Sequence, residues 1–288
     1  MSAQAKRPGQ EAIAAKGWLR AHKWLILRRL CQASILALFL AGPLFGVWIV
    51  KGNLSSSLTL GVLPLTDPYL LLQSLAAGMV PAGTALLGAG IVVAFYLLVG
   101  GRVFCAWVCP MNVVTDAAAW ARRRLGLKSG RQPHPDTRYW LLGGTLAAAL
   151  ATGTLAWEWV NPVSMIQRGL IFGMGSGAFL VLAVFLYDVL VATRGWCGHL
   201  CPTGAFYGLL GRKALLRVAA PRREACNDCM DCFAVCPEPH VIRPALKQAG
   251  QESPVIYSSD CTTCGRCIDV CGQQVFKLTH RLDQRSSL

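Results

Sequence analysis

Four stretches of the chain carry apolar side chains without charge over lengths that match a bilayer, which takes roughly 20 residues of helix. They run from Leu30 to Val50, from about Gly83 to Val99 within a charge-free run from Gln73 to Gly101, from Tyr139 to about Trp157, and from about Leu170 to Val191, broken by Asp188. The pattern predicts four transmembrane helices, because a spanning segment must satisfy its own backbone and long uncharged runs allow that. Buried core helices are the alternative, disfavoured by four such runs with few charges between them.

Composition supports this reading. The chain has 288 residues, 54% hydrophobic and 15% charged, against about 25% charged in a soluble domain. A disordered chain and an ordinary soluble enzyme are both excluded. The net charge of +14 is placed unevenly. Seven basic residues precede the first stretch (Lys6, Arg7, Lys16, Arg20, Lys23, Arg28, Arg29), and Lys51 alone follows it. Seven more (Arg102, Arg122, Arg123, Arg124, Lys128, Arg131, Arg138) lie between the second and third, Arg168 precedes the fourth, and the remaining twelve follow it. The positive-inside rule then puts both termini and the middle loop in the cytoplasm. The charge is a topology signal rather than a nucleic-acid footprint, since no recognition motif accompanies it.

The membrane part reads as a duplication. Asp67-Pro68, Gln73 and Cys105-Ala-Trp-Val-Cys109-Pro110 are matched by Asn161-Pro162, Gln167 and Cys197-Gly-His-Leu-Cys201-Pro202. Each copy has a Pro-started non-cytoplasmic segment, one span and a C-x3-C-P at its cytoplasmic exit. The copies share one orientation, as a parallel repeat about an axis along the membrane normal does. The segments after Pro68 and Pro162 are either short interfacial helices roofing a pocket for a lipid-soluble ligand or plain connections; proline suits a first helical position in both.

Thirteen cysteines carry the chemistry. Cys226, Cys229, Cys232 and Cys236-Pro237 are followed by Cys261, Cys264, Cys267 and Cys271. This C-x2-C-x2-C-x3-C spacing matches a two-cluster ferredoxin, in which the fourth cysteine of each run ligates the other cluster. One [4Fe-4S] cluster is expected on Cys226, Cys229, Cys232 and Cys271, the other on Cys261, Cys264, Cys267 and Cys236. Structural zinc favours paired two-cysteine units, and disulfides are disfavoured on a cytoplasmic face. Arg266 either raises the potential of a nearby cluster or is solvated.

The membrane cysteines Cys105, Cys109, Cys197 and Cys201 stand one helical turn apart within each pair. If the repeats pair, four thiols can converge on a metal or cluster, act as redox thiols, line a cofactor pocket, or simply pack as small buried residues. His199 can donate to a quinone oxygen or ligate a metal. Asp188, an acid inside a span, needs a polar interior; it accepts a quinol proton or pairs with Arg194. Cys31 reads as a buried small hydrophobe.

The expected fold is an α-helical membrane protein: four transmembrane helices as a two-fold parallel repeat, with a C-terminal α+β ferredoxin-like two-cluster domain. Its parts are a basic cytoplasmic leader (1–29), the four-span membrane domain (30–212) and the cluster domain (213–288). With both C-x3-C-P motifs and the paired ferredoxin runs, the chain resembles the NapH/MauN-type ferredoxin-type integral membrane proteins, a group that extends to NosR-like and CcoG-like proteins. The resemblance covers essentially the whole chain after the leader. It implies a quinol dehydrogenase component of the bacterial inner membrane, with no soluble-substrate site of its own. That component oxidises ubiquinol or menaquinol and passes electrons toward periplasmic nitrate reductase. The implied partners are membrane lipid and quinone, a NapG-like iron–sulfur protein and a NapC-like c-type cytochrome. The alternative is a ferredoxin-type accessory factor for metal reduction or maturation of a redox enzyme.

Overall fold

The computed structural model describes residues 8–127, 130, 132–173, 175–247 and 253–283. Lys6, Arg7, Lys128 and Arg131 of the basic flanks lie outside the described residues. In chain order the helices begin with α1 (Gln10–Lys16), α2 (Trp18–Ala21) and α3 (Lys23–Phe45). Three antiparallel strands follow, β1 (Val50–Gly52), β2 (Ser56–Thr59) and β3 (Leu63–Thr66). Then come α4 (Pro68–Ala76), α5 (Gly83–Val99), α6 (Val103–Trp107), α7 (Met111–Arg124), α8 (Thr137–Thr152), α9 (Pro162–Phe172), α10 (Gly177–Leu190) and α11 (Pro202–Leu210). The tail adds β4 (Leu216–Ala219), α12 (Asp231–Val235), α13 (Ile242–Lys247), α14 (Arg266–Val270) and β5 (Lys277–His280).

The apolar stretches become helices with shifted bounds. The second matches α5. The first starts earlier, taking in Arg28 and Arg29, and stops before Gly46, whose φ of 72° leaves the helical region. The third ends at Gly153, also left-handed, and a 3-10 turn takes up Ala156–Trp159. The fourth is not continuous: Gly173 (φ 92°) and Gly175 (φ 45°) separate α9 from α10. Among the described residues, α3 is the one helix long and apolar enough to cross a membrane by itself; α5 and α10 are apolar but shorter. The N-terminal region is thus helical with one such helix, and the tail is an α+β domain.

The chain divides into two compact units, each discontinuous in sequence. One comprises residues 1–31, 97–107 and 210–288, the other 32–96 and 108–209. The basic leader and the α6 segment therefore belong with the tail.

In the tail unit, β4 and β5 pair antiparallel from Leu216–His280 to Ala219–Lys277. Val218, Val241, Ile242, Leu246, Ile256 and Phe276 form its core, with the cluster-loop cysteines packed against it. Arg102, 2% exposed, forms a 2.7 Å ion pair with Glu238 and donates to Asp260 O. Trp107 Nε1 donates to Thr263 O at 3.2 Å, so α6 is held at both ends of its segment.

In the other unit, α4 and α9 share one local design. The Asp67 side chain accepts from Tyr69 N and that of Asn161 from Val163 N, each at 3.1 Å, with proline at the first helical position. This is N-capping in the usual sense. Gln73 Oε1 accepts from Trp157 N (3.1 Å), while Gln167 Oε1 accepts from Leu54 N (2.8 Å). Each copy's glutamine thus ties down the segment that leads into the other copy.

Candidate iron–sulfur and membrane redox site

The tail cysteines fold into two loops of the same shape. Cys226 and Cys261 are 35 residues apart, and at that offset Asp228 (φ 56°) matches Thr263 (φ 47°), and Met230 (φ 62°) matches Gly265 (φ 71°). Left-handed residues at these places turn successive N–H groups toward one concavity, the nest common at Fe–S sites. Three of the four are not glycine, a cost that clusters at functional sites. Met230 and Gly265 then start the short helices α12 and α14.

The loops line two partly open pockets. Cys226, Cys229, Cys232 and Cys271 line one, with Phe233 and Phe276. Cys236, Cys261, Cys264 and Cys267 line the other. The fourth cysteine of each run has crossed to the other loop. The thiols crowd one another: burial, then the nearby Cys229, Cys271 and Cys226, push the Cys232 thiol up to about 12. Burial, then Cys264, Cys236, Cys261 and Cys232, push Cys267 well above its ordinary value. Burial alone would raise Cys264 too, but Arg266 and Arg28 pull it down to about 7. Arg266 is 6% exposed, so it is part of the site rather than a solvated charge.

Buried, mutually repelling thiols suit thiolates shared with iron, which removes both costs. Among the described residues no three His, Cys, Asp or Glu side chains converge on one point as a single metal ion requires. A cubane instead spreads its thiolates over separate iron corners. The donor set and the nests fit [4Fe-4S] clusters. No disulfide forms among the thirteen cysteines.

The leader closes on this site. Gly9 N donates to Asp231 Oδ2 (2.8 Å), and Lys16 Nζ donates to Ile268 O (2.6 Å) and Cys271 O (3.3 Å). Asp269 accepts from Trp24 N (3.0 Å) and Leu25 N (2.9 Å), the first-turn donors of α3. The Trp24 ring lies against Gly265, where an added Cβ would stand 2.4 Å from its Cγ. Only hydropathy and charge marked this segment in the sequence; its partners lie more than 200 residues away.

The C-x3-C-P cysteines are distributed over both units. Cys105 sits on α6, in the unit that holds the tail. Cys109, Cys197 and Cys201 belong to the other. Cys109 is buried and its carbonyl accepts from Gln32 Nε2 (3.2 Å). Cys197 and His199 occupy a π-helical turn, Trp196–Leu200; such turns often mark functional sites. Cys31, expected to be buried, is half-buried in α3.

Around that turn lies a polar and aromatic cluster that sequence reasoning partly missed. Asp188 is fully buried and its Oδ1 accepts from Trp196 N (3.0 Å). The ion pair of Arg194 with Asp116 spans 3.2 Å. The Trp196 ring stacks on Trp157 at 6.4 Å, and Tyr69, Trp157 and Ala205 form one core with Cys201 and Phe206. Tyr69 bonds Thr145 (2.6 Å), and Tyr207 OH donates to Asp67 (3.0 Å). Burial pushes the Asp67 carboxyl up to about 6. Within this cluster Gln73 Nε2, Trp157 Nε1 and Asp188 Oδ2 are buried with no hydrogen-bond partner among the described residues, as is Gln167 Nε2. The repeated glutamines were the signal in the sequence; the tryptophan donor had none.

Comparison with known proteins agrees. A 4Fe-4S binding domain family model matches twice, at residues 81–128 and 172–223, over the two C-x3-C-P copies. A 4Fe-4S dicluster domain matches residues 225–275. The chain is 54% identical to the ferredoxin-type protein NapH of Escherichia coli over 98% of both chains. It is 59% identical to the methylamine utilization ferredoxin-type protein MauN of Methylorubrum extorquens over 94% of both. Against NapH of Haemophilus influenzae it is 50% identical, over 96% of this chain and 97% of that one. No solved structure matches the chain at a significant level.

Proposed function

The chain belongs to the NapH/MauN family of ferredoxin-type proteins, membrane-associated iron–sulfur electron carriers, and from that premise we propose that it oxidises quinol and relays the electrons through two cross-wired clusters. Cys226, Cys229, Cys232 and Cys271 bind one cluster; Cys261, Cys264, Cys267 and Cys236 bind the other. Four spans arranged as a two-fold parallel repeat hold the quinol side, with both termini cytoplasmic. The clusters supply one-electron steps, which divide the two electrons of a quinol.

The observation that carries the quinol reading is the set of unpaired buried groups around Trp157. A buried donor without a partner costs about 1–3 kcal/mol. Gln73 Nε2 and Trp157 Nε1 are donors that a quinone oxygen satisfies, and Asp188 Oδ2 is an acceptor for one of the two protons that a quinol gives up, the other passing to solvent. The Gln73 orientation is set, because its oxygen is engaged by Trp157 N. Cys197, Cys201 and His199 flank this cluster, and Cys105 and Cys109 complete the paired motifs as candidate redox thiols. Electrons leave toward partners of the NapG and NapC kinds, and in a nitrate-respiring cell toward periplasmic nitrate reductase.

Reconstituting the full-length protein in vesicles with a short-chain menaquinol or ubiquinol tests this. The rate of cluster reduction should fall at least tenfold in Gln73→Leu and Asp188→Asn, with dithionite-reducible clusters retained. Unchanged rates in both variants would sink the site. A second reading, an accessory factor that serves maturation of another redox enzyme, draws on the likeness to MauN, whose name ties it to methylamine utilization and which is 59% identical against 54% for NapH. It calls for dithionite-reducible clusters that quinol leaves oxidised.

A further inference from the structure

Beyond carrying positive charge, the leader reaches a cluster loop through the last residue of α1. Lys16 Nζ donates to the carbonyls of Ile268 and Cys271, so its ammonium rests on the backbone of a cluster cysteine. The position is built. Gly9 N is bonded to Asp231 Oδ2 in the loop that carries Cys229 and Cys232, and Glu11 Oε2 accepts from Asn227 Nδ2 (3.0 Å) in the same loop. Ala12 is fully buried, and a Cβ at Gly272 would come within 3.3 Å of the Glu11 backbone. The helix is therefore tied to both the first run and the end of the second. Lys16 itself is half-buried, where salt screens a charge less than at the surface.

We propose that Lys16 sets the reduction potential of the cluster held by Cys226, Cys229, Cys232 and Cys271, making the leader a positioning element of the electron relay. This rests on the ligand assignment above. Reduction adds one negative charge to a cluster whose surroundings include the carboxylates of Asp228, Asp231 and Asp269, of which Asp228 is already paired with Lys247. A fixed cation on a ligand's carbonyl favours the reduced state, and local charge is one of the levers that set such potentials. Lys16 thereby makes this cluster easier to reduce than the loop's own carboxylates would allow.

Potentiometric titration of the full-length protein, followed by EPR, tests the proposal. Cys226→Ser first identifies which of the two reduction steps belongs to this cluster. Lys16→Gln keeps a polar group without the charge. It should lower the ratio of reduced to oxidised cluster about tenfold at fixed ambient potential, a downward shift of about 59 mV for a one-electron couple. Lys16→Arg should restore the wild-type step, and the other cluster should not move. No shift in Lys16→Gln, with cluster content equal to wild type, overturns the proposal. So does cluster loss in Lys16→Gln without any shift in what remains, which marks Lys16 as a structural tether. A shift confined to the step that Cys226→Ser leaves untouched indicts the ligand assignment instead.

Discussion

Asp269 caps the long apolar helix α3 from the far end of the sequence, and removing it should loosen the leader from the cluster domain. Its two oxygens take the Trp24 and Leu25 N–H groups of the first turn of α3, and it is 5% exposed. A hydrogen bond to a charged group is worth about 1.5–3 kcal/mol net. Burial, however, raises the Asp269 carboxyl above its ordinary value and cancels part of that gain, despite help from Trp24, Leu25, Arg28 and Lys16. Loss of a capping side chain costs about 0.5–2 kcal/mol, so Asp269→Ala should cost about 2 kcal/mol, roughly a 30-fold rise in local opening. Hydrogen exchange by mass spectrometry on the full-length protein reads this directly. Peptides covering residues 18–28 should exchange roughly 30-fold faster, while α8 is unchanged. Asp269→Asn keeps one acceptor oxygen and should fall between, at about 1 kcal/mol. If Asp269→Ala leaves exchange in 18–28 at the wild-type rate, the cap contributes nothing and the reasoning fails.

Other outcomes follow from the same geometry. Asp67 has a folded value of about 6 against an ordinary 3.8, so the fold favours its protonated form. Stability should drop as pH rises from about 3.8 to about 6 and level off above. Asp67→Asn should flatten that slope in thermal melts and stabilise by up to about 3 kcal/mol above it, since asparagine caps the equivalent helix at Asn161. Gly265→Ala meets both a φ of +71° and the Trp24 ring; it should cost at least about 2 kcal/mol and be partly rescued by Trp24→Ala. Glu238→Gln removes the 2.7 Å carboxylate partner of the buried Arg102 and leaves Asp260 at 3.9 Å; it should lower stability by about 3 kcal/mol, read by chemical denaturation. Cys236→Ala should abolish the cluster of the second run, not of its own, in EPR of the reduced protein.

Much of this was legible because the signals are local. The span at Gly83–Val99 stands out by hydropathy, and Asp67-Pro68 and Asn161-Pro162 announce capped helix starts. Cysteine spacing conveyed the two loops, since the left-handed residues between cysteines follow from that short spacing. The break at Gly173–Gly175 was hidden because glycine does not interrupt an apolar average, although its φ values end a helix. Leader docking was hidden for a different reason. Its bonds run from backbone N–H groups and Lys16 to Asp231, Ile268, Asp269 and Cys271, at separations no periodicity records. Likewise, nothing local in the sequence showed that α6, with Cys105, is anchored by Trp107 to the Cys261–Cys264 loop.

The central claim is that electrons enter this chain from a quinol and come to rest on the tail clusters. Anaerobic addition of a short-chain quinol to the full-length protein in vesicles, with low-temperature EPR of the frozen sample, tests it most directly. Reduced-cluster signals should grow with quinol and be blocked by a quinone-site inhibitor. Clusters that reduce fully with dithionite and stay EPR-silent at every quinol concentration would contradict it.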